Sequence, residues 1–214
     1  MAFEDKKKSY MDTLFIISTL LKRWQIEIQA DQINEAMKEN NGKLVVKGVL
    51  QRADTKNQNG RVYPKEILVR EAKKYSANFV KQKRAMGELD HPESSVVNLQ
   101  NVSHNVTDMN FNGDDLVGTV EVLTTPSGNI LRELFKNGIK LGISSRGMGS
   151  VETMNENGAQ EVQDDFELIA FDFVSNPSTH GAFLHPMNES VENIAVRDTK
   201  YGRVEAVIND IMRG

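Results

Sequence analysis

The spacing of apolar and polar positions divides the chain into a helical N-terminal segment, a strand-rich body and a polar C-terminal stretch. Apolar residues recur at alternating steps of three and four from Leu14 to Ile28, a spacing typical of an amphipathic helix. Polar residues 31–42 end in Asn-Gly and predict a linker after that helix, and the chain turns polar again after about residue 188. The body between these segments is therefore expected to form the main domain.

Strand patterns outnumber helix patterns within the body. Valine-rich or alternating stretches predict strands at residues 44–50, 104–112, 116–123, 140–145, 150–153, 160–163 and 167–175. A Gly-Asp-Asp turn joins the second and third of these strands and predicts a hairpin.

Two helices are also predicted, each beginning at a proline. One follows Pro64 and has an apolar face made of Leu68, Ala72, Tyr75 and Phe79. The other follows Pro126 and carries Ile130, Leu131, Leu134 and Phe135. Strands and helices alternate irregularly, which predicts an α+β fold. Its expected form is a mostly antiparallel β-barrel or sheet with helices packed around it.

Composition excludes several classes of protein. The 214 residues are enough for one domain with a sizeable core. There are 26 Lys and Arg against 30 Asp and Glu, a formal charge of −4 that argues against a dedicated nucleic-acid-binding protein. The absence of cysteine excludes disulfides, thiol catalysis and cysteine-ligated zinc. The longest apolar run, residues 14–21, is too short to cross a bilayer, so no membrane span is expected.

Two of the three stretches that could carry chemistry contain a histidine or an acid in unusual surroundings. Residues 87–92, Gly-Glu-Leu-Asp-His-Pro, place His91 in a loop bounded by glycine and proline. Asp172 lies inside an apolar strand, where burial of a carboxylate is costly unless it is paired. Asp172 could therefore orient a histidine, although its position alone is more typical of the polar face of an alternating strand.

The third stretch, residues 142–150, runs from a strand into a glycine-rich turn. It contains Ser144, Ser145 and Arg146. A serine nucleophile needs exposure, a nearby base and N–H groups that hold an oxyanion, and small residues beside a cation suit these needs. An ordinary turn or an anion-binding loop would have the same composition.

Metal binding is the competing use of the histidines. Asp90, His91, His104, Asp108 and the pair His180 and His185 could supply nitrogen and oxygen ligands. Their spacing matches no compact metal-binding motif, so the sequence favours a site without metal.

Four segments, in the same order along the chain, resemble the prohead core proteases of T4-like tailed phages. Residues 59–68 resemble the family's N-x-R-x-Y-P-K segment, and residues 87–92 its G-E-L-N/D-H-P histidine loop. Residues 142–150 resemble its G-V-S-S-R-G-x-G-S serine turn, and the strand around Asp172 resembles the strand that follows. The resemblance covers roughly residues 43–187.

The resemblance implies both a fold and a function. The fold would be related to herpesvirus assemblin, a β-barrel surrounded by helices. The activity would be that of a serine endopeptidase without a cofactor, which works inside the phage procapsid as this assembles in the host bacterial cytoplasm. Its substrates would be internal scaffold or core proteins and the major capsid protein, cleaved after a glutamate that has Leu or Ile two residues earlier. The enzyme would be packaged as an inactive precursor, and a homo-oligomer is expected.

The resemblance also assigns roles to residues of this sequence. Ser144 would be the nucleophile, His91 the general base and then acid, and Asp172 the group that holds the imidazole. Assemblins use a second histidine as the third member, a place that His104 would fill only if the barrel topology differed. Strand alternation favours Ser144, but the Ser-x-Gly pattern of assemblins would select Ser145 with Gly147, so Ser145 stays the alternative nucleophile. Arg146 and the N–H groups near Gly147 are expected to stabilise the oxyanion.

A self-cleavage site is expected in the predicted linker. Ile33-Asn34-Glu35 fits the implied specificity, so cleavage between Glu35 and Ala36 would release residues 1–35 as a propeptide. Residues 36–190 would then be the protease domain and 191–214 a C-terminal tail. Two other functions stay open: a non-catalytic scaffold or capsid-associated protein on the same fold, and a metal-dependent hydrolase.

Overall fold

The computed structural model describes residues 33–154 and 158–187, and strands predominate among them. The strands are β1 Leu44–Arg52, β2 Arg61–Val62, β3 Met86–Glu88, β4 Val102–Asn112, β5 Asp115–Val122, β6 Gly142–Met148, β7 Val151–Thr153, β8 Gln160–Val162, β9 Glu167–Val174 and β10 His185–Pro186. Besides the helical residues 33–39, the helices are α1 Lys65–Tyr75, continued by a π-helical turn Ser76–Val80, and α2 Pro126–Lys136. The expected α+β class is confirmed. Within the described ranges, no helix is long and apolar enough to cross a membrane.

The described strands pair in three sheets. The largest has the order β10-β1-β5-β4-β3, a second has the order β2-β8-β7, and β6 pairs with β9. All ladders are antiparallel except the short one between β2 and β8. Because this pairing leaves three separate sheets, a closed barrel is not established, and the assemblin-like barrel stays a prediction.

The predicted hairpin is present as β4 and β5. Asn112 pairs with Asp115, so a two-residue turn joins the strands. Gly113 in that turn has a φ of 63°, which glycine adopts without the steric cost that a side chain would bring. The turn signal in the sequence therefore located this connection correctly.

Both predicted helices form, but the buried face of α2 differs from the prediction at one position. Thr125 caps this helix by accepting a hydrogen bond from the Gly128 amide at 3.1 Å. Leu131 and Phe135, one helical turn apart, are buried, whereas Ile130 is 55% exposed. Adjacent helical residues point about 100° apart, so Ile130 cannot share the face that Leu131 and Phe135 define.

Residues 33–39 are helical, so the predicted linker is wrong over this stretch. Ile33 and Ala36 are 3% and 0% exposed and face the core, and Met37 packs against it. These three residues lie at i, i+3 and i+4, which is the spacing of one helical face, although it covers barely two turns. The predicted helix at 14–28 and the C-terminal stretch lie outside the described residues.

A buried histidine stands in the core next to the sheet that carries the candidate site. His104 on β4 is fully buried, its Nε2 donates to the carbonyl oxygen of Phe171 at 2.8 Å, and its Nδ1 accepts from the Ser103 hydroxyl at 2.8 Å. A carbonyl only accepts, so Nε2 carries a proton, and Nδ1 accepts from the Ser103 hydroxyl when the imidazole is neutral. Burial lowers the pKa of His104 to about 4, although the hydrogen bond to Phe171 opposes the shift.

Acid is expected to destabilise the protein through His104. In the unfolded chain His104 has its ordinary pKa of 6.5, so below that pH the unfolded state binds a proton that the folded state refuses until about pH 4. The free energy of unfolding should therefore lose about 3 kcal/mol as pH falls through this window. Urea titrations at pH 7, 5.5 and 4 measure the loss.

A matched pair of variants separates the effect of His104 on stability from that of carboxylates that titrate in the same pH range. His104→Gln keeps an N–H for Phe171 and should show a smaller loss of stability on acidification than the wild-type chain. His180→Gln replaces an exposed histidine and should follow the wild type. An identical pH dependence in all three proteins would contradict the assignment.

Candidate active site

The ladder between β6 and β9 brings two of the predicted site residues face to face. Ser144 pairs directly with Asp172, and Arg146 lies two residues further along β6. Side chains alternate along a strand, so Ser144, Arg146 and Asp172 share one face of this two-stranded sheet. Ser145 lies on the opposite face together with Ile143, which is fully buried in the core.

The loop after β3 carries His91 to the same face. The Asp90 amide donates to the carbonyl oxygen of Phe173 on β9 at 2.9 Å, and the His91 amide is capped by the Asp90 carboxylate at 2.9 Å. Asp90 has a φ of 72°, an uncommon conformation for a residue other than glycine. Such local strain is often found at functional sites, and here it turns the chain at His91.

The side chains of His91 and Asp172 are hydrogen-bonded to each other. The distance from His91 Nδ1 to Asp172 Oδ2 is 3.0 Å. Because an ionised carboxylate only accepts, we assign the proton to Nδ1, which leaves Nε2 free to accept a proton. The histidine side chain is 40% exposed and the aspartate fully buried, so the imidazole is accessible from one side only.

A close backbone approach explains the glycine in the histidine loop. A Cβ atom on Gly87 would lie 1.9 Å from the carbonyl oxygen of Phe171 and 2.4 Å from Nε2 of His104. Any side chain at this position would push β3 away from β9. Gly87 thus allows the loop to come close enough for His91 to reach Asp172.

Burial and charge act on Asp172 in opposite directions. The pKa of this carboxyl is raised, with desolvation as the largest cause, while the hydrogen bond from the Glu88 amide at 3.0 Å, the Arg146 guanidinium and His91 oppose that shift. The three neighbours therefore favour the ionised form that orients an imidazole.

Arg146 takes part in a buried ion network instead of facing open space. Its Nη2 donates to Glu88 Oε1 at 3.0 Å and to Asp172 Oδ1 at 3.1 Å, and its Nη1 donates to the carbonyl oxygen of Ser94 at 2.9 Å. Glu88 Oε1 also accepts from the Asn98 amide at 3.0 Å, so the network ties down the loop that follows His91. With its guanidinium held this way, the Arg146 side chain is not available for the expected contact with an oxyanion.

Gly147 is also poorly placed for the expected oxyanion role. It lies three residues beyond Ser144 on β6, and a strand advances about 3.3 Å per residue, which puts about 10 Å between them. An oxyanion donor must lie within hydrogen-bond distance of the reacting carbonyl. The sequence proximity of Ser144 and Gly147 is therefore lost once the segment is extended.

Sequence reasoning missed Glu88 and Ser178 as parts of the site. Glu88 is fully buried, and no periodic pattern pairs it with Arg146, which follows 58 residues later. Ser178 lies in the loop after β9, and its Oγ is 3.1 Å from Ser144 Oγ. Both residues lie in segments that resemble the family, and only that resemblance could have pointed to them from the sequence.

The described residues offer no arrangement for a metal ion. No group of three or more His, Cys, Asp or Glu side chains among residues 33–154 and 158–187 is arranged to bind one. His91 pairs with Asp172, whereas His104 is bonded to Ser103 and Phe171 in the core. The two histidines therefore do not share a ligand sphere, which the metal-dependent hydrolase would require.

Comparison with known proteins gives a consistent result. A family model described as prohead core protein serine protease matches residues 24–192. The prohead core protein protease of Enterobacteria phage T4 is 33% identical over 159 residues, which cover 73% of this chain and 74% of that protein. The solved structure of the bacteriophage T4 capsid assembly protease superposes with a TM-score of 0.61 at 32% identity, covering 63% of this chain and 84% of that one. The chain therefore belongs to the prohead core protein serine protease family.

Proposed function

We propose that this chain is a serine endopeptidase that matures phage procapsids. The observation that carries the proposal is the His91–Asp172 pair, 3.0 Å long, next to a serine that faces the same aspartate across the β6–β9 ladder. A base held by a buried acid beside a serine is the arrangement that serine proteases use on several unrelated folds.

His91, Ser144 and Asp172 have the following roles in the proposed reaction. His91 Nε2 takes the proton of Ser144 as Oγ attacks the scissile carbonyl, and the resulting imidazolium then protonates the leaving amine. Asp172 holds Nδ1–H, which keeps Nε2 unprotonated before the attack and stabilises the imidazolium after it. Water repeats the same steps on the acyl-enzyme and releases the second product.

Ser144 is preferred to Ser145 as the nucleophile on grounds of strand geometry. Ser144 shares its face with Asp172, whereas Ser145 pairs with Phe171 on the face that turns to the core. For Ser145 to approach His91, β6 would have to rotate about its axis and expose Ile143.

The proposed substrates and setting follow the family. The T4 relatives are described as a prohead protease and as a capsid assembly protease. We propose that this chain likewise acts inside the procapsid as it assembles in the host cytoplasm, on scaffold or core proteins and the major capsid protein, after glutamate with Leu or Ile two residues earlier. A homo-oligomer is part of the same proposal.

An assemblin-like barrel is also proposed, with support from two isolated bridges. Leu89 pairs with Phe173 in parallel fashion, and Gly142 pairs with Phe183 in antiparallel fashion. The first bridge links the end of β3 to β9, and the second links β6 to the segment that leads into β10. Together they join the β6–β9 pair to both edges of the five-stranded sheet.

Self-activation would release residues 1–35, but the helix at 33–39 contains the bond that must be cleaved. Ala36 is fully buried, and its carbonyl oxygen accepts from the Asn40 amide and side chain at 3.1 and 2.8 Å. A protease binds its substrate in an extended form, so the Glu35–Ala36 bond is cleavable only after this short helix unwinds. Unwinding would make the precursor slow to activate.

The full chain is expected to lose residues 1–35 on incubation. Intact-mass spectrometry over hours should show the precursor give way to a species that begins at Ala36. Glu35→Gln removes the recognised charge and should block the conversion, while Glu39→Gln changes a carboxylate on the same helix and should leave the conversion unchanged.

Dilution separates cleavage within one molecule from cleavage between molecules, because only the second slows as protein concentration falls. Processing of Glu35→Gln at the wild-type rate would remove the self-cleavage site from the proposal. If scaffold protein is added and neither the wild-type chain nor the scaffold protein is cleaved, the result favours the non-catalytic alternative.

A further inference from the structure

The hydroxyl of Ser178 lies 3.1 Å from the hydroxyl of Ser144. Either oxygen could be the donor in an isolated pair, but the proposed reaction decides between them. Ser144 has one proton, which must point to His91 for transfer. In the reactive arrangement Ser144 Oγ therefore accepts, and Ser178 O–H donates to it.

The segment that carries Ser178 is held on several sides. The Gln58 amide donates to the Ser178 carbonyl oxygen at 2.9 Å, and the Gln58 side chain donates to the Pro177 carbonyl oxygen at 3.0 Å. Pro177 packs so closely on β6 that a Cβ atom on Gly142 would lie 2.4 Å from its Cγ. The next residue, Thr179, is buried and donates to the Gln51 side chain.

The loop at residues 57–60 contains no member of the proposed triad, but these contacts connect it to the segment that carries Ser178. Asn57 shapes this loop by accepting from the amides of Asn59 and Arg61 at 3.0 and 2.9 Å through its side chain. The loop thereby presents Gln58 to the segment at 177–178. A rigid support of this kind is what keeps a hydrogen-bond donor aimed at one point in space.

We propose, on the basis of the proposed protease function, that Ser178 is a further catalytic residue and Gln58 its positioning residue. As Ser144 Oγ bonds to the scissile carbon, its proton passes to His91 and the carbonyl π pair becomes a lone pair on the oxyanion. That oxyanion forms on the carbon to which Oγ is now bonded, so it lies beside Oγ and within reach of the Ser178 hydroxyl. On collapse the oxyanion returns its pair, the C–N bond breaks, and His91 gives its proton to the amine.

Ser178 supplies what the two expected oxyanion groups lack. The Arg146 guanidinium is held by Glu88, Asp172 and Ser94, and Gly147 lies about 10 Å along the strand from Ser144. The Ser178 hydroxyl, in contrast, is already within hydrogen-bond distance of the nucleophile. It also has a rotatable O–H that can follow the charge from Oγ to the oxyanion.

Kinetics of the full chain and its Ser178 variants test this inference. Two readouts are used: the rate of Ser144 phosphonylation by a fluorophosphonate probe, and kcat and KM for a peptide that contains the sequence Ile-Asn-Glu-Ala of residues 33–36. Ser178→Ala should lower kcat about a hundredfold, as expected when one oxyanion donor is removed, and leave KM near its wild-type value. Phosphonylation, which forms a comparable tetrahedral centre, should slow as well.

Three further variants separate catalysis from structure. Ser178→Thr keeps the hydroxyl and should retain most of the activity, whereas Ser175→Ala removes an exposed hydroxyl from the same loop and should have no effect. Gln58→Leu should lower kcat less than Ser178→Ala does. In the double variant, Gln58→Leu and Ser178→Ala together should reduce kcat by less than the product of their separate factors, because Gln58 acts through Ser178.

The outcomes distinguish this inference from the proposed function on which it rests. An active wild type with an equally active and folded Ser178→Ala variant overturns the role of Ser178 alone. A loss that appears in KM, or one that Ser178→Thr shares in full, also overturns it. A folded wild type that, even with scaffold protein added, neither loses residues 1–35, nor reacts with the probe, nor cleaves the peptide overturns the proposed protease and this inference together.

Discussion

Replacing Ser144 with alanine is expected to abolish proteolysis while the protein stays folded. Removing the nucleophile of a serine protease typically costs about 10⁴–10⁶ in kcat, because the covalent route is lost. Ser144 is 8% exposed and its small hydroxyl contacts Ser178, so the methyl group of alanine fits the same space. Cleavage of the Ile-Asn-Glu-Ala peptide and conversion of the full chain both measure the loss.

Ser145→Ala is the matched control because it changes the neighbouring residue on the opposite face of β6. It should retain most of the activity, since Ser145 pairs with Phe171 and points away from Asp172. Circular dichroism and the melting temperature are the measurements that check whether both variants fold. If Ser145→Ala is inactive and Ser144→Ala is active, the Ser-x-Gly pattern identifies the nucleophile and the face assignment is wrong.

Replacing Arg146 with methionine is expected to cause the largest loss of stability among the single substitutions considered. The substitution leaves the carboxylates of Glu88 and Asp172 buried, with side-chain exposures of 1% and 0%, and without their cation. Removing one partner of a buried ion pair typically costs about 3–5 kcal/mol in the free energy of unfolding. Urea denaturation at pH 7 measures this loss.

The same substitution should also reduce activity in the molecules that remain folded. The guanidinium lowers the pKa of Asp172, so its removal adds to the upward shift that burial causes. A protonated Asp172 would hold the His91 imidazolium less well, and the acid limb of kcat/KM should move to higher pH.

Arg52→Met is the control for Arg146→Met. Arg52 pairs with Asp115 in a bidentate contact, but its side chain is 34% exposed and that of Asp115 29% exposed. Solvent screening limits the contribution of such a pair to about 1 kcal/mol or less. Equal losses in the free energy of unfolding for Arg146→Met and Arg52→Met would show that the buried network stabilises the fold no more than a solvent-exposed pair does.

Much of the local structure follows from short-range patterns. Alternating strands around a Gly-containing turn predict the hairpin of β4 and β5, and a proline followed by apolar residues at helical spacing predicts α2. The failures are equally local. Ile130 was assigned to the wrong face of α2, and the helix at 33–39 was missed because its apolar face has only three residues.

The candidate site was predicted in part, and the limit lies in contacts between distant segments. The resemblance pointed to His91, Ser144 and Asp172, and the structure brings His91 and Asp172 within 3.0 Å across 81 residues. It gave no partner for Arg146, which was expected to face an oxyanion and lies instead between two carboxylates. The proximity of Ser178 to Ser144 was equally invisible in the sequence, because it depends on how the loop after β9 folds back.

The sequence by itself determined the α+β class, most strand and helix positions and the residue types of the site. Those features depend on periodicity, caps and turns, whose energies arise between neighbours in the chain. The tertiary structure decided that Ser144 and Asp172 share one face of the β6–β9 pair, that Arg146 lies between Glu88 and Asp172, and that Gln58 holds the segment next to Ser144. Burial and hydrogen bonds between segments far apart in sequence set these contacts, and no local pattern records them.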